Sequence, residues 1–294
     1  MMRRFTIVAA LLAFTATTHA QFTIFESAGA NAAAITPTRD AFRVAVGGGA
    51  VAGANGSFGG LRREINWDGV PDAFADSNLL PANFFNVNSP RGVVFSTPGT
   101  GFLVSANAGG ATPILFGFPN DFQVFSAQRL FTAVNSNITD VNFFVPGTNV
   151  TATTTAFGLI FTDVEVAGLT HVDFFDLNNN LIFSRDALVG GNQALSFLGA
   201  VATGGEQIGR VRITSGLNTI VSNGVLGNPI DDVVVMDDFL YAETISAVPE
   251  PATLALTGIG LVAIGAYGYR RHRRRRGTRS RTVRPTAPRL ESPA

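Results

Sequence analysis

Acidic side chains are the most numerous groups in this sequence that could do chemistry. Asp163 and Glu165 stand two positions apart, so a β-strand would present both carboxylates on one face. Two carboxyl groups at a suitable separation can hydrolyse a glycosidic bond. Residues 21–247 contain nineteen Asp and Glu, however, so close pairs arise by chance. We therefore place a glycan-active hydrolase third among three functional hypotheses.

Histidine and cysteine usage excludes two other kinds of site. The chain has no cysteine and three histidines, His19, His171 and His272. His19 lies in a predicted export signal and His272 in a predicted cytoplasmic segment, which leaves His171 alone in the domain between them. A zinc site with two histidine ligands and a cysteine nucleophile are both excluded. We interpret His171 as a structural residue at the start of a strand.

Calcium is the one cofactor that the acidic residues suggest, because carboxylate and amide oxygens bind it. Asp176-Leu-Asn-Asn-Asn180 places oxygen side chains at alternate positions, but Leu181 stands where a calcium loop needs glycine. An Asn-rich hairpin turn explains the same residues. Asp237 and Asp238 are the second candidate. In a strand they point to opposite faces, so one of them faces inward and needs an arginine, a backbone donor or Ca²⁺ as its partner.

One segment combines the residue types of a ligand-contact loop. Trp67 is the only tryptophan, and Arg62, Arg63 and Asp68 are close to it in sequence, before a turn. An aromatic side chain beside charged groups in a loop is a typical ligand contact. A core tryptophan capped by a turn is the alternative interpretation.

The elements that would position these residues are short β-strands. Thirteen candidate strands lie between residues 22 and 242, among them Phe42–Val46 and Ile114–Phe118, and glycine-centred turns separate them. Arg210–Thr214 alternates, which places its valine and isoleucine inward. No amphipathic helix stands out, although the Ala- and Gly-rich residues 21–55 leave room for a loop or short helix. The pattern predicts an all-β domain, an antiparallel β-sandwich or jelly roll.

The charge of this domain limits its partners. Residues 21–247 contain nine arginines, no lysine and nineteen acidic residues, a formal net charge of −10. A domain of this charge binds nucleic acid and anionic lipid poorly, so we predict no nucleic-acid partner. Because cysteine is absent, a hydrophobic core must stabilise the domain, and 23 of the 25 phenylalanines lie in it.

The N-terminus is predicted to be a secretory signal peptide, residues 1–20. Arg3 and Arg4 precede the apolar run Phe5–Phe14, and Thr18-His-Ala20 fits a cleavage site of small residues. The exported domain would then comprise residues 21–247.

Residues 248–276 have three parts that together predict a sorting signal. The first part comprises Val248, Pro249, Glu250 and Pro251. Its two prolines cannot continue a helix and make this part stiff. Ala252–Tyr269 has 18 residues without a charged side chain, and as a helix it would be about 27 Å long, enough to cross a bilayer core. Arginines stop this transmembrane helix on the cytoplasmic side: Arg270, Arg271, Arg273 and Arg274. Residues 277–294 are predicted to be a disordered basic tail.

This arrangement resembles the PEP-CTERM sorting signal. The matching parts are Val248–Pro251, the Ala-Thr-Leu-Ala-Leu that follows, the glycine-rich span and the arginine cluster. The resemblance implies processing by an exosortase-type enzyme, transient membrane anchoring, and a final place at the cell surface or in an extracellular polysaccharide matrix. The tail 277–294 departs from the family's pattern, which ends soon after its basic cluster.

The second half of the domain is also similar to the ectodomain of other PEP-CTERM proteins. The similarity covers residues 116–243 and rests on segments such as Val172-Asp-Phe-Phe-Asp176 and Met236-Asp-Asp-Phe-Leu-Tyr241. It implies a jelly-roll-like fold and brings no activity with it. The leading hypothesis is a non-catalytic structural or adhesive protein, and the second is a carbohydrate-binding module, with or without calcium, whose ligand would be an exopolysaccharide.

Overall fold

The computed structural model describes residues 20–106, 115–220, 232–247 and 251–277, with the side chains of the last segment described for 258–271. The chain forms two compact units, residues 1–247 and residues 248–294. The first unit contains the β-strands and helices α1 (Ala32–Val46) and α2 (Phe84–Val87). The second contains helix α3 (Pro251–Gly277).

The strands of the first unit are short, and nearly all of them belong to one of two sheets. In chain order they are β1 (Phe22–Gly29), β2 (Ser57–Phe58), β3 (Arg62–Ile65), β4 (Val93–Ser96), β5 (Gly101–Val104), β6 (Phe131–Val134), β7 (Ile138–Phe143), β8 (Ala152–Thr153), β9 (Ala156–Thr162), β10 (His171–Phe175), β11 (Leu181–Asp186), β12 (Leu195–Ala202), β13 (Arg210–Thr214), β14 (Val235–Ala242) and β15 (Ile245–Ser246).

The two sheets confirm the predicted antiparallel β architecture. Sheet A has eight strands in the order β1-β12-β9-β14-β3-β2, with β6 joined to β14 and β5 to β6. Sheet B has five, in the order β11-β10-β13-β7-β4, and β15 pairs with β8 separately.

Phenylalanines from both sheets form the core between them. Phe157 of sheet A lies 6.3 Å, ring centre to ring centre, from Phe143 and from Phe174 of sheet B. Strand β13 alternates as predicted, because Val211 and Ile213 are fully buried and its arginines are half-buried.

Helix α1 lies in the region 21–55, where the sequence leaves room for a loop or short helix, and the strand prediction for Phe42–Val46 is wrong. Asn31 begins the helix by accepting a hydrogen bond from the Ala34 N–H at 3.2 Å, as an N-cap residue does. Ile35 and Phe42 are two helical turns apart, so they lie on one face and are buried against sheet A. Only these two side chains of the helix are buried, which explains why no clear helical periodicity appears in the sequence.

The strand prediction for Ile114–Phe118 is also wrong in its described part. Residue 114 lies outside the described residues, and Leu115–Gly117 is a 3₁₀ turn. Leu115 and Phe116 have φ angles of 52° and 55°, in the left-handed region that a strand cannot contain.

Two paired glycines let helix α1 approach sheet A closely. Gly158 and Gly199 are cross-strand partners on β9 and β12, beneath the Phe42 ring. A Cβ atom on Gly199 would lie 2.7 Å from Phe42 Cδ2, which is closer than van der Waals contact.

We therefore expect Gly199→Ala to lower the free energy of unfolding by about 1–3 kcal/mol, the usual cost of overpacking a core. Chemical denaturation would measure the loss. Gly69→Ala is the matched control, because a Cβ on Gly69 would meet nothing within 4 Å. Equal stability of the two variants would contradict close packing of α1 on the sheet.

The second unit is described in part. Side chains 258–271 of α3, including Arg270 and Arg271, are exposed. Several predictions lie outside the described residues: the signal peptide 1–19, the motif residues Val248, Pro249 and Glu250, the side chains of Pro251, Arg273 and Arg274, and the tail from residue 278.

None of the helices in the described part of the chain is both long enough and apolar enough to cross a membrane.

Candidate ligand cleft beside helix α1

A cleft of about 990 Å³ lies where the C-terminal part of α1 meets strands β2 and β3. This volume is at the upper end of the range for small-molecule sites. Four arginines line it, Arg39, Arg43, Arg62 and Arg91, and we call it the arginine cleft. Its acidic lining residues are Asp40, Glu64 and Asp238. The cleft thus has one more basic than acidic side chain in a domain that is strongly acidic.

Glu64 holds two of these arginines together. Its carboxylate accepts from Arg43 Nε at 2.8 Å and from Arg62 Nε at 2.7 Å. The Arg62 side chain is 4 % exposed, so its charge depends on this partner. Because Arg43 belongs to α1 and Glu64 to β3, the ion-pair triad also fastens the helix to the sheet.

Arg62 has a second structural role at the end of α1. Its guanidinium donates to the Gly47 carbonyl oxygen at 2.5 Å and to the Gly49 carbonyl oxygen at 3.2 Å. These carbonyls follow the last helical turn, where backbone oxygens have no partner within the helix. Arg62 therefore caps the helix from a neighbouring strand.

The structure places the other members of the predicted ligand-contact loop away from the cleft. Trp67 is 1 % exposed and lies in the core, as in the alternative interpretation, and it does not line the arginine cleft. Its ring stacks on Phe131 at 4.0 Å, and its Nε1 donates to the Asp237 carbonyl oxygen at 2.9 Å. Arg63 projects from the other face of β3 and pairs with Glu243 at 2.7 Å.

Asp68 accepts a backbone hydrogen bond and does not line the arginine cleft. It follows Trp67, whose φ of 62° lies in the left-handed region. The Asp68 carboxylate accepts from the Arg129 N–H at 3.2 Å. Burial raises the pKa of Asp68. The predicted loop is thus a tight turn whose side chains point in different directions.

Asp237 and Asp238 do not point to opposite faces, which corrects the strand-based prediction. The pairing of β14 with β9 shifts register between Met236 and Phe239, because one extra residue forms a β-bulge. As a result Ser126 Oγ lies 3.2 Å from Asp237 Oδ1 and 2.9 Å from Asp238 Oδ1. The Phe125 N–H donates to Asp237 Oδ2 at 2.5 Å. Backbone and hydroxyl donors thus serve as partners for this carboxyl pair.

The bulge carboxyl groups and Asp163 are expected to make the domain less stable as pH rises from about 4 to 7. Burial raises the pKa of Asp237, and burial raises that of Asp238 to about 6 and of Asp163 to about 7. The folded domain therefore binds more protons than the unfolded chain in this pH range, and stability falls as those protons are lost.

Thermal unfolding from pH 4 to pH 8 would test this expectation. Asp163→Asn and Asp238→Asn should each flatten the decline in melting temperature, because each removes one titrating group. Asp186→Asn is the control, since Asp186 is exposed. A melting temperature that rises steadily over this range would contradict the assignment.

Asp176 forms the hairpin turn between β10 and β11. Its Oδ1 accepts from the N–H groups of Asn178 at 2.8 Å and Asn180 at 2.9 Å, and its Oδ2 accepts from Asn180 Nδ2 at 2.8 Å. These bonds lower the pKa of Asp176, with the Asn180 side chain as the main cause. The Asn-rich turn is therefore the arrangement present. Within the described ranges, no three or more His, Cys, Asp or Glu side chains are grouped so that they could hold a metal ion.

The predicted carboxylate pair does not share a strand face. Strand β9 ends at Thr162, and Asp163 has a φ of 74°, so the chain leaves the sheet before Glu165. Asp163 is 4 % exposed and accepts from the Gln193 N–H at 2.9 Å. His171 begins β10, as predicted, and its Nε2 lies 3.6 Å from Asp173 Oδ2.

Three residues of the arginine cleft were not found from the sequence. Arg39 and Arg43 are four positions apart, which brings them to one face of a helix, but the sequence did not give the bounds of that helix. Arg91 joins them from the loop before β4. Helical spacing over residues 32–46 is the one signal that could have revealed the first two.

Comparison with known proteins assigns the C-terminal segment. Residues 247–275 match the family model described as the PEP-CTERM protein-sorting motif. Comparison with curated proteins and with solved structures gives no match. The motif indicates an exported protein that is anchored transiently in the membrane before exosortase processing and ends on the cell surface. The chain therefore carries a PEP-CTERM sorting motif after a β ectodomain.

Proposed function

We propose that the protein acts as a non-catalytic structural or adhesive component of the extracellular matrix. The sorting motif behind a β-sandwich carries this proposal, because it delivers a folded domain to the cell surface. A disulfide-free domain with a large phenylalanine core suits a stable matrix component.

Cell fractionation combined with a cohesion measurement tests this role. The full chain would be expressed in a bacterium that has an exosortase, as wild type and with both motif prolines replaced, Pro249→Ala and Pro251→Ala. We expect the wild type in the matrix fraction together with greater cohesion of the cell layer. The double variant should stay with the membrane and leave cohesion low. Pro285→Ala, outside the matched motif, is the control.

Correct delivery of the wild-type protein without any gain in cohesion would contradict the adhesive role. Release of reducing sugar ends from matrix polysaccharide by the purified protein would favour the third hypothesis, a glycan-active hydrolase, over the first.

The second candidate function is carbohydrate binding, and the arginine cleft favours it. A cavity of about 340 Å³ adjoins the cleft and shares Asn66 and Arg91 with it. Aromatic side chains line that cavity, among them Phe74, Phe84 and Phe85. Calcium dependence of such binding stays a prediction, and parallel measurements with calcium and with a chelator would test it.

A further inference from the structure

Arg91 differs from every other arginine of the exported domain in the part of the chain that the structure describes. The other eight arginines each lie within 4.0 Å of a carboxylate oxygen; they are Arg39, Arg43, Arg62, Arg63, Arg129, Arg185, Arg210 and Arg212. Among the described residues, the Arg91 guanidinium has neither a carboxylate nor a hydrogen-bond acceptor, and its Nε is buried. The side chain is half-buried, and a buried polar group without a partner is costly, so this nitrogen needs an explanation.

The surroundings of Arg91 hold the guanidinium in place without neutralising it. Its guanidinium carbon lies 5.0 Å from the centre of the Phe85 ring. Its backbone N–H donates to the Phe85 carbonyl oxygen at 2.7 Å, and its own carbonyl accepts from the Tyr241 hydroxyl at 2.8 Å. Burial lowers the pKa of Arg91, the shift expected of a cation that is poorly solvated.

Arg91 also lies at the junction of the two cavities. It lines both the arginine cleft and the smaller aromatic cavity. Gly56 passes beside its head group, since a Cβ atom on Gly56 would be 2.9 Å from Arg91 Nε. A ligand in the cleft would therefore meet a fixed, unpaired guanidinium, which suits bidentate pairing with a planar oxyanion.

We propose that the arginine cleft binds an acidic glycan, with Arg91 pairing with a carboxylate of the sugar. This inference rests on the second candidate function, carbohydrate binding. The net charge of −10 on residues 21–247 opposes polyanions of high charge density, such as nucleic acid and anionic membranes. A uronate residue differs from a phosphate in presenting a planar carboxylate, and its ring carries hydroxyl groups for the polar side chains of the cleft.

Calorimetric titration of the exported domain with tetragalacturonate tests the proposal. The domain, residues 21–247, suits this purpose because it forms a compact unit with its own core. We expect binding to wild type and a loss of about tenfold or more in affinity for Arg91→Gln, the cost of one charge-assisted pair. Arg185→Gln is the matched control, because Arg185 pairs with Glu26 at the surface and does not line the cleft. The affinity of Arg185→Gln for tetragalacturonate should equal that of wild type.

Two further ligands show whether binding depends on the sugar carboxylate, on the neutral sugar or on negative charge alone. The fully methyl-esterified tetramer has the same sugars without the charge, so we expect it to bind at least about tenfold more weakly if the carboxylate matters. Sodium phosphate should not compete at equal concentration. Equal binding of acid and ester, or full affinity in Arg91→Gln, would overturn the role of Arg91 while leaving carbohydrate binding in place.

The remaining outcomes also count against the proposal. Phosphate competing as well as the uronate would mean a general anion site and not a glycan site. Binding to none of the ligands would overturn the inference together with the carbohydrate-binding candidate, whereas the adhesive role would still stand on its cohesion test. Because Arg91 has no ion pair to lose, Arg91→Gln should stay folded at the temperature of the titration, which a melting curve checks, so lost affinity would not reflect unfolding.

Discussion

Replacing Trp67 with alanine is expected to lower the free energy of unfolding by about 3–5 kcal/mol, the usual cost of truncating a large buried aromatic side chain. The ring stacks on Phe131 at 4.0 Å and makes edge contacts with Phe85 at 5.4 Å and Phe239 at 5.1 Å. The substitution would also leave the Asp237 carbonyl oxygen without its indole donor. Urea denaturation of the exported domain would measure the loss.

Trp67→Phe distinguishes the packing of the aromatic ring from the hydrogen bond of the indole N–H. Phenylalanine keeps an aromatic ring in the core and removes only the indole hydrogen bond and part of the volume, so we expect a smaller loss than for alanine. Near-native stability of Trp67→Ala would contradict the core position of the ring. Any loss of ligand binding in Trp67→Ala must be judged against this loss of stability, because the side chain is almost completely buried.

Replacing Glu64 with glutamine should be nearly as damaging. The carboxylate partners both Arg43 and Arg62, and Arg62 is too deeply buried for water to replace it. Removing one partner of a buried ion pair costs about 3–5 kcal/mol, because the remaining charge is left uncompensated. Thermal and chemical unfolding would report this loss, and hydrogen exchange should show that α1 opens more readily.

Glu26→Gln is the control for the triad. Glu26 pairs with Arg185 at the surface, where solvent screens both charges, so its removal should leave the melting temperature close to that of wild type. If Glu64→Gln were as stable as Glu26→Gln, the triad would not fasten α1 to the sheet. A double variant, Glu64→Gln with Arg62→Met, should recover part of the stability, because it removes the uncompensated charge as well.

The arginine cleft and the triad could not be predicted from the sequence, whereas the β architecture could. Alternation in segments such as Arg210–Thr214 is a local signal, and the β-strands follow from it. The cleft needs contacts between residues far apart in sequence, such as Arg43 with Glu64 and Arg91 beside Gly56. No spacing pattern records such contacts, and the helix that carries Arg39 and Arg43 lacks a clear periodic pattern of its own.

The side-chain directions of Asp237 and Asp238 were also not predictable from the sequence of their strand. Strand alternation separates neighbouring side chains, but one extra residue in β14 brings both carboxyl groups to Ser126. A bulge depends on the register with the partner strand, and register is not visible in a single strand.

Sequence alone determined the class of fold, the absence of disulfides and the C-terminal sorting motif, because each depends on residue types in a continuous stretch. The tertiary structure decided which side chains are buried and which charges have partners. Trp67 and Arg91 illustrate the difference, since the structure buries the tryptophan in the core and leaves the guanidinium of the arginine without a carboxylate among the described residues. Burial and ion pairing arise between distant segments, and only the folded chain brings those segments together.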